Sequence, residues 1–173
     1  YISPDLIDQM YSEKQEPKLG GDAGYHTAFF SDIQSFSAFS EVMEPEDMVK
    51  LMNDYLTEMT TILLEHQGTL DKYIGDAIVA FYGSPVPVET HELLACKTAL
   101  AMENKIVELR EKWSHEEDKP DIVHNLRHRV GLNSGPMVTG NMGSKMRMNY
   151  TMMGDPVNVA ARLESSAKQY GVY

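Results

Sequence analysis

The sequence predicts an α+β fold, a sandwich in which helices cover one face of a mostly antiparallel sheet. Strand-like and helix-like segments follow one another in the order strand, helix, hairpin, helix, hairpin, helix. Two strand-like runs are separated by only Gly75 and Asp76, which is a strong hairpin signal. Two longer segments have apolar residues at the three- and four-residue spacing of amphipathic helices. Strands joined by tight turns pair antiparallel, so an antiparallel sheet is expected.

The first half of the chain is predicted to contain one strand, one long helix and a hairpin. Pro45 is followed by two acidic residues, which is typical of a helix start, and Gly68 is placed to close that helix. In order, we expect an irregular or partly helical lead-in over 1–24, a buried strand over 26–31, a helical segment from 35–40, the long helix, and hairpin strands over 69–74 and 77–82.

The second half is predicted to contain a further helix, three strands and a last helix. Over 126–132, three apolar residues and His128 alternate with Arg127, Arg129 and Gly131, as in a half-exposed strand, which puts Arg129 on the exposed side. Asp155 is predicted as an N-cap, with Pro156 as the first helical residue. The other expected elements are a helix with one apolar face from Ala95 to Trp113, a loop over 114–121, and paired strands over 137–143 and 148–153.

Composition limits the classes of function. The 173 residues, 42% of them hydrophobic, suffice for one globular core. Because 15 Lys and Arg face 26 Asp and Glu, the net charge of −11 disfavours a nucleic-acid partner. A small anionic ligand would need local cations or a divalent metal. The single cysteine, Cys96, and the lack of any apolar run near the roughly 20 residues of a membrane span indicate a cytoplasmic location. Since the chain begins with Tyr1, we expect it to be part of a longer protein, in which a membrane anchor remains an open alternative.

Two aspartates stand where strands end. Asp32 follows the first strand and Asp76 lies in the hairpin turn, so the two carboxylates could hold a pair of hard divalent cations. Alternatively, each is an ordinary cap or turn residue.

Three further polar side chains fit a nucleotide. Asn158 and Arg162 are four residues apart on one helix face and suit a ribose and a phosphoryl group, or else form a solvated surface. Arg129 could contact a phosphate or form a surface ion pair. The glycine-rich stretch 131–143 matches neither a Walker loop nor a dinucleotide fingerprint. Structural roles are predicted for the twelve methionines, His124, His128 and Cys96.

Four runs, AFFSDIQSFS, LDKYIGDAIVAFYG, RHRVGLNSGPMVTGNMG and NYTMMGDPVNVAARLE, together resemble the class III nucleotidyl cyclase catalytic domain. The motifs occur in family order and the resemblance covers about residues 26–165. It implies a ferredoxin-like-derived sandwich, with a catalytic domain over 25–173 that lacks the family's C-terminal end. A phosphate-binding lysine of the family would lie beyond that end.

The resemblance implies an adenylate cyclase that converts ATP to 3′,5′-cyclic AMP and pyrophosphate at the interfaces of a homodimer. Asp32, Asp76 and the Ile33 carbonyl match the ligands of two Mg²⁺ or Mn²⁺ ions, and the amides from Ile33 to Phe36 would hold the triphosphate. Arg129 matches a phosphate-contacting arginine, and Asn158 with Arg162 matches the transition-state pair. Ser35 stands where the family commonly has glycine. A fused regulatory or sensor domain is also expected.

Base choice rests on Lys72 and Thr151, which match the family's adenine-reading pair. An ammonium donates to N1 of adenine, and a hydroxyl accepts from the N6 amino group. Guanine presents the opposite polarity at both positions, so GTP is the poorer substrate. A guanylate cyclase, or a nucleotide-binding regulatory module without turnover, remains the alternative. The module is disfavoured because both the metal set and the Asn/Arg pair are present.

Overall fold

The computed structural model describes residues 18–116 and 121–172. These residues form five strands and four helices in the predicted order, except that two of the six predicted strands are continuous. They are β1 (Gly20–Ile33), α1 (Phe36–Ser40), α2 (Pro45–Glu65), β2 (Thr69–Ile74), β3 (Ala77–Tyr82), α3 (His91–Ser114), a short 3-10 helix (Asp121–Asn125), β4 (His128–Ser144), β5 (Arg147–Met153) and α4 (Asp155–Tyr170). Within the described ranges, no helix has the length and hydropathy needed to cross a membrane.

The sheet has the strand order β2-β3-β1-β4-β5, and every neighbouring pair is antiparallel. This confirms the predicted sheet type. β1 is the central strand, and it pairs with β4 continuously from Gly20 opposite Asn141 to Ile33 opposite His128. The two-residue turn at Gly75 and Asp76 joins β2 to β3, as predicted, and Gly75 has a φ of 63°, a conformation that glycine adopts readily.

Helices pack on both faces of the sheet, which corrects the expectation of one covered face. Alternate residues of β3 point to opposite sides, with Ile78 in the main core under α2 and α3, and Val79 in a second cluster. That second cluster contains Ala160 of α4. Gly131 of β4 lets α4 approach closely, because a Cβ there would lie 2.3 Å from the Ala160 carbonyl oxygen. The last helix is therefore seated directly on the central strands.

Several element boundaries differ from the prediction. β1 begins at Gly20, so residues 20–24 extend the strand that pairs with β4 and are not irregular. The rest of the expected lead-in, residues 1–17, lies outside the described residues. β4 is one strand of 17 residues instead of two separate strands. The N-cap of α4 is Gly154, not Asp155, and Gln67, with a φ of 62°, is the left-handed residue that follows α2.

Candidate functional site

Two carboxylates meet where β1 ends beside the β2–β3 turn. Asp32 is the penultimate residue of β1, and the Ile33 N–H donates to Asp76 Oδ2 at 3.0 Å. Burial, followed by the hydrogen bond and negative charge of Asp76, raises the pKa of Asp32 to about 7. The chain therefore holds two acidic groups together at an electrostatic cost. The sequence predicted each aspartate at a strand end, and the sheet order brings them into contact.

The donor set fits a hard divalent cation. A cation between the carboxylates would offset the repulsion by Asp76, which adds to burial in raising the pKa of Asp32. Within the described ranges no cluster of three or more His, Cys, Asp or Glu side chains forms a complete metal site. Mg²⁺ is commonly bound by one or two protein carboxylates, with water and substrate phosphates completing its shell. Asp32, Asp76 and the Ile33 carbonyl are thus suited to an ion that arrives with a nucleotide.

Arg129 lies directly opposite Asp32 in the β1–β4 register. Its Nη2 is 3.5 Å from Asp32 Oδ2, and its Nε donates to Glu164 Oε1 at 2.8 Å. Arg129 and Glu164 are each only 8% exposed. The prediction of an exposed Arg129 was wrong because α4 covers this face of β4. Glu164 was not identified from the sequence, since no local pattern distinguishes it from the other acidic residues of the helices.

The expected phosphate-binding amides are only partly available. The Ile33 N–H is bonded to Asp76, and the Gln34 N–H donates to the Arg127 carbonyl oxygen at 2.8 Å. These two amides are therefore committed within the chain and do not serve a triphosphate. Phe36 begins α1, and its side chain packs against the main core. Ser35 has a φ of 59°, a region that favours glycine.

Asn158 and Arg162 lie on α4 and both are exposed. Their four-residue spacing places them on one helix face, as predicted. Arg162 lines an open depression of about 280 Å³ on this helix. The other residues of that depression are Ala161, Ser165, Ser166 and Gln169. Both side chains are therefore accessible to a second molecule.

The sheet curls so strongly that its two edge strands meet. Thr151 of β5 donates to Asp71 Oδ2 of β2 at 2.5 Å, although these strands stand at opposite ends of the strand order. Lys72 Nζ lies 3.4 Å from Asp71 Oδ1. The Tyr150 hydroxyl supports the same curl through a 2.7 Å bond to Ser84 Oγ. Lys72 and Thr151 thus both contact Asp71, a residue that the sequence did not identify.

Most of the chain is similar to known cyclase catalytic domains. Residues 23–173 match the family described as adenylate and guanylate cyclase catalytic domain. Adenylate cyclase 1 of Rhizobium meliloti (strain 1021) is 35% identical over 156 residues, which are 88% of this chain and 23% of that protein. The chain therefore spans about a quarter of the length of such curated relatives.

Solved structures of similar fold include cyclases of both base specificities. The adenylyl cyclase CyaB from P. aeruginosa has a TM-score of 0.78 at 38% identity, covering 86% of this chain and 74% of that one. The guanylyl cyclase Cya2 has a TM-score of 0.77 at 32% identity, covering 85% and 72% of the two chains. Overall similarity alone therefore does not separate ATP from GTP as substrate.

Proposed function

The chain belongs to the adenylate and guanylate cyclase catalytic domain family, and on this premise we propose that it converts ATP to 3′,5′-cyclic AMP and pyrophosphate. The observation that carries the proposal is the contact between Asp32 and Asp76 at the ends of adjacent elements. A pair of carboxylates held together against their own repulsion is suited to binding cations, and a polyphosphate substrate supplies the remaining ligands.

In the proposed mechanism, Asp32, Asp76 and the Ile33 carbonyl would hold two Mg²⁺ or Mn²⁺ ions. When bound, such ions would supply a lowered pKa of the attacking 3′-hydroxyl and positive charge beside the phosphates. Arg129 balances the charge of Asp32 from across the strand pair, and a phosphate bound at the metal set would share its guanidinium with Asp32 and Glu164. Asn158 orients the ribose, and Arg162 stabilises the charge that develops on the α-phosphoryl group.

We further propose that two copies of the chain form a two-fold homodimer with a site at each interface. Asn158 and Arg162 are exposed on α4, so they are accessible to the metal set of a second copy. In a two-fold dimer each copy supplies Asn158 and Arg162 to the metal set of the other, which gives two equivalent sites. A fused regulatory or sensor domain and a cytoplasmic location belong to the same proposal. The Rhizobium relative, of which the match covers 23%, supports the first of these.

Lys72 and Thr151 favour ATP over GTP. The Lys72 ammonium only donates, which suits N1 of adenine but not the N–H of guanine, and Thr151 can accept from the N6 amino group. The likeness to the guanylyl cyclase Cya2 makes GTP the alternative substrate. Exchanging both residues, as Lys72→Glu with Thr151→Cys, should lower the ratio of kcat/KM for ATP to that for GTP. An unchanged ratio in the folded double variant would remove this pair from base choice.

The direct test is to supply ATP or GTP with Mg²⁺ or Mn²⁺ to the protein that contains this chain and to identify any cyclic nucleotide. We expect cyclic AMP from ATP and little product from GTP. Asp32→Asn and Asp76→Asn should each abolish product without lowering the melting temperature. Asp54→Asn is the matched control, because the Asp54 side chain is 47% exposed and pairs only with Lys112 among the described ion pairs, at 3.4 Å. Comparable turnover in Asp76→Asn and Asp54→Asn would contradict the metal assignment.

A further inference from the structure

Asp71 is a buried carboxylate for which the proposed mechanism has no use. Its side chain is 2% exposed, and burial raises its pKa. Its Oδ2 accepts the Thr151 hydroxyl at 2.5 Å, whereas its Oδ1 has no hydrogen bond among the described residues and faces Lys72 Nζ at 3.4 Å. A buried carboxylate costs free energy unless its partners compensate it. Here both partners are the residues that the proposed function assigns to the base.

A strand irregularity places Asp71 in this position. In the β2–β3 pairing, Leu70 lies opposite Ala80 and Lys72 lies opposite Val79, so Asp71 has no partner in the register. Such a bulge turns an extra side chain out of the normal alternation and is common beside functional sites. The bulge lets the neighbouring Asp71 and Lys72 serve one cluster, although consecutive strand residues normally point to opposite faces.

We infer that Asp71 is a specificity-determining residue that fixes the direction of the hydrogen bond Thr151 can offer to a nucleobase. The Thr151 hydroxyl has one proton, and that proton is committed to Asp71. Toward the base, Thr151 can then only accept. A hydroxyl without this partner would rotate and could donate as well. The inference deepens the proposed function and rests on Lys72 and Thr151 facing the base.

The consequence is discrimination at position 6 of the purine. Adenine carries an amino group there, which donates to the Thr151 oxygen, while guanine carries a carbonyl oxygen, which would face another acceptor. Leaving a polar group unpaired in a binding site discriminates more strongly than adding a favourable contact. Asp71 Oδ1 also lies 3.4 Å from the Lys72 ammonium, a contact that the amide oxygen of asparagine would keep, so the role of Asp71 in base choice acts through Thr151.

Asp71→Asn is the sharpest test because the two side chains have nearly the same shape. In the variant, the amide oxygen accepts from Lys72 and the amide nitrogen faces Thr151, so the Thr151 proton turns toward the base. We expect the ratio of kcat/KM for ATP to that for GTP to fall about tenfold, the value of one hydrogen bond whose polarity is reversed. Equilibrium competition between ATP and GTP for the same site should show the same shift in the affinity ratio.

Two controls separate this role from a structural one. Tyr73 lies on the same strand as Asp71, and its hydroxyl is hydrogen-bonded to Thr60 at 2.7 Å. Tyr73→Phe removes that hydroxyl and should leave the ratio unchanged. In a Thr151→Val background there is no hydroxyl to reorient, so Asp71→Asn should cause no further change in the ratio. Thr151→Ser keeps the hydroxyl and should keep the preference for ATP.

The outcomes distinguish the inference from the proposed function. An active wild type whose ATP preference survives Asp71→Asn overturns the inference and leaves the cyclase proposal standing. A wild type that forms no cyclic nucleotide, but whose ATP to GTP affinity ratio falls in Asp71→Asn, overturns the cyclase proposal and supports the inference. A wild type that binds neither nucleotide overturns both.

Discussion

Replacing Glu164 with glutamine should destabilise the domain more than the same change at an exposed ion pair. Glu164 is 8% exposed and accepts from Arg129 Nε at 2.8 Å. The other carboxylate near Arg129 is Asp32, which is 3.5 Å away with a side chain that is 34% exposed. Glutamine keeps the shape of glutamate and one acceptor oxygen but removes the charge. Arg129 would then remain buried with one distant and partly solvated counter-charge.

The expected loss follows from these distances. Unit charges about 4 Å apart attract by about 4 kcal/mol at an effective dielectric constant of about 20, and the neutral hydrogen bond that glutamine retains recovers about 1 kcal/mol. We therefore expect Glu164→Gln to lower the free energy of unfolding by about 3 kcal/mol, at the lower end of the effect of breaking a buried ion pair. For a domain of this size the melting temperature should fall by about 6–12 °C.

Urea unfolding measures this difference directly. Trp113, the single tryptophan, is fully buried in the core and reports global unfolding by its fluorescence. Glu108→Gln is the matched control, because Lys105 binds Glu108 at 2.6 Å and keeps a second carboxylate, Glu58, at 3.7 Å. That pair is exposed on α3, so its loss should not change the melting temperature measurably. Equal urea midpoints for the two variants would refute the view that burial under α4 gives the Arg129 pair its strength.

Three further predictions concern the dimer, the loss of stability at low pH and the packing of α4 on β4. First, Asp32→Ala and Arg162→Ala are each expected to be inactive, but co-refolding them together should recover about a quarter of wild-type activity. Half of the dimers are then mixed, and each mixed dimer regains one site of two. No recovery, with mixed dimers verified by mass spectrometry, would refute shared sites. Burial lowers the pKa of His128 to about 4, below its unfolded value near 6.5. The free energy of unfolding should therefore fall by about 3 kcal/mol as the pH drops from 6.5 to about 4. Urea unfolding of His128→Phe should show a weaker loss between pH 6.5 and 4, and an unchanged pH profile would contradict this. Gly131→Ala should lower the free energy of unfolding by about 1–3 kcal/mol, measured by thermal unfolding, because the added Cβ would lie 2.3 and 2.4 Å from backbone atoms of α4. Wild-type stability would show that α4 can shift away from β4 at little cost.

The local elements could be predicted because their signals act between sequence neighbours. Pro45 and the apolar period that follows it specify α2, and Gly75-Asp76 specifies the β2–β3 turn. These signals also place Asp32 and Asp76 at strand ends, so the metal set could be proposed before the sheet order was known. The i,i+4 spacing of Asn158 and Arg162 is likewise a property of any helix.

Only the tertiary structure decided which of these elements meet. Arg129 is buried because α4 packs over β4, an arrangement that depends on contacts more than twenty residues apart and on the space left by Gly131. The Ile33 and Gln34 amides are occupied by partners from distant segments, which no local pattern encodes. Asp71 reaches Thr151, eighty residues away, only because the sheet curls and β2 bulges. Alternation and turn chemistry specify a strand and its neighbour, whereas curl and helix placement arise from the packing of the whole sheet.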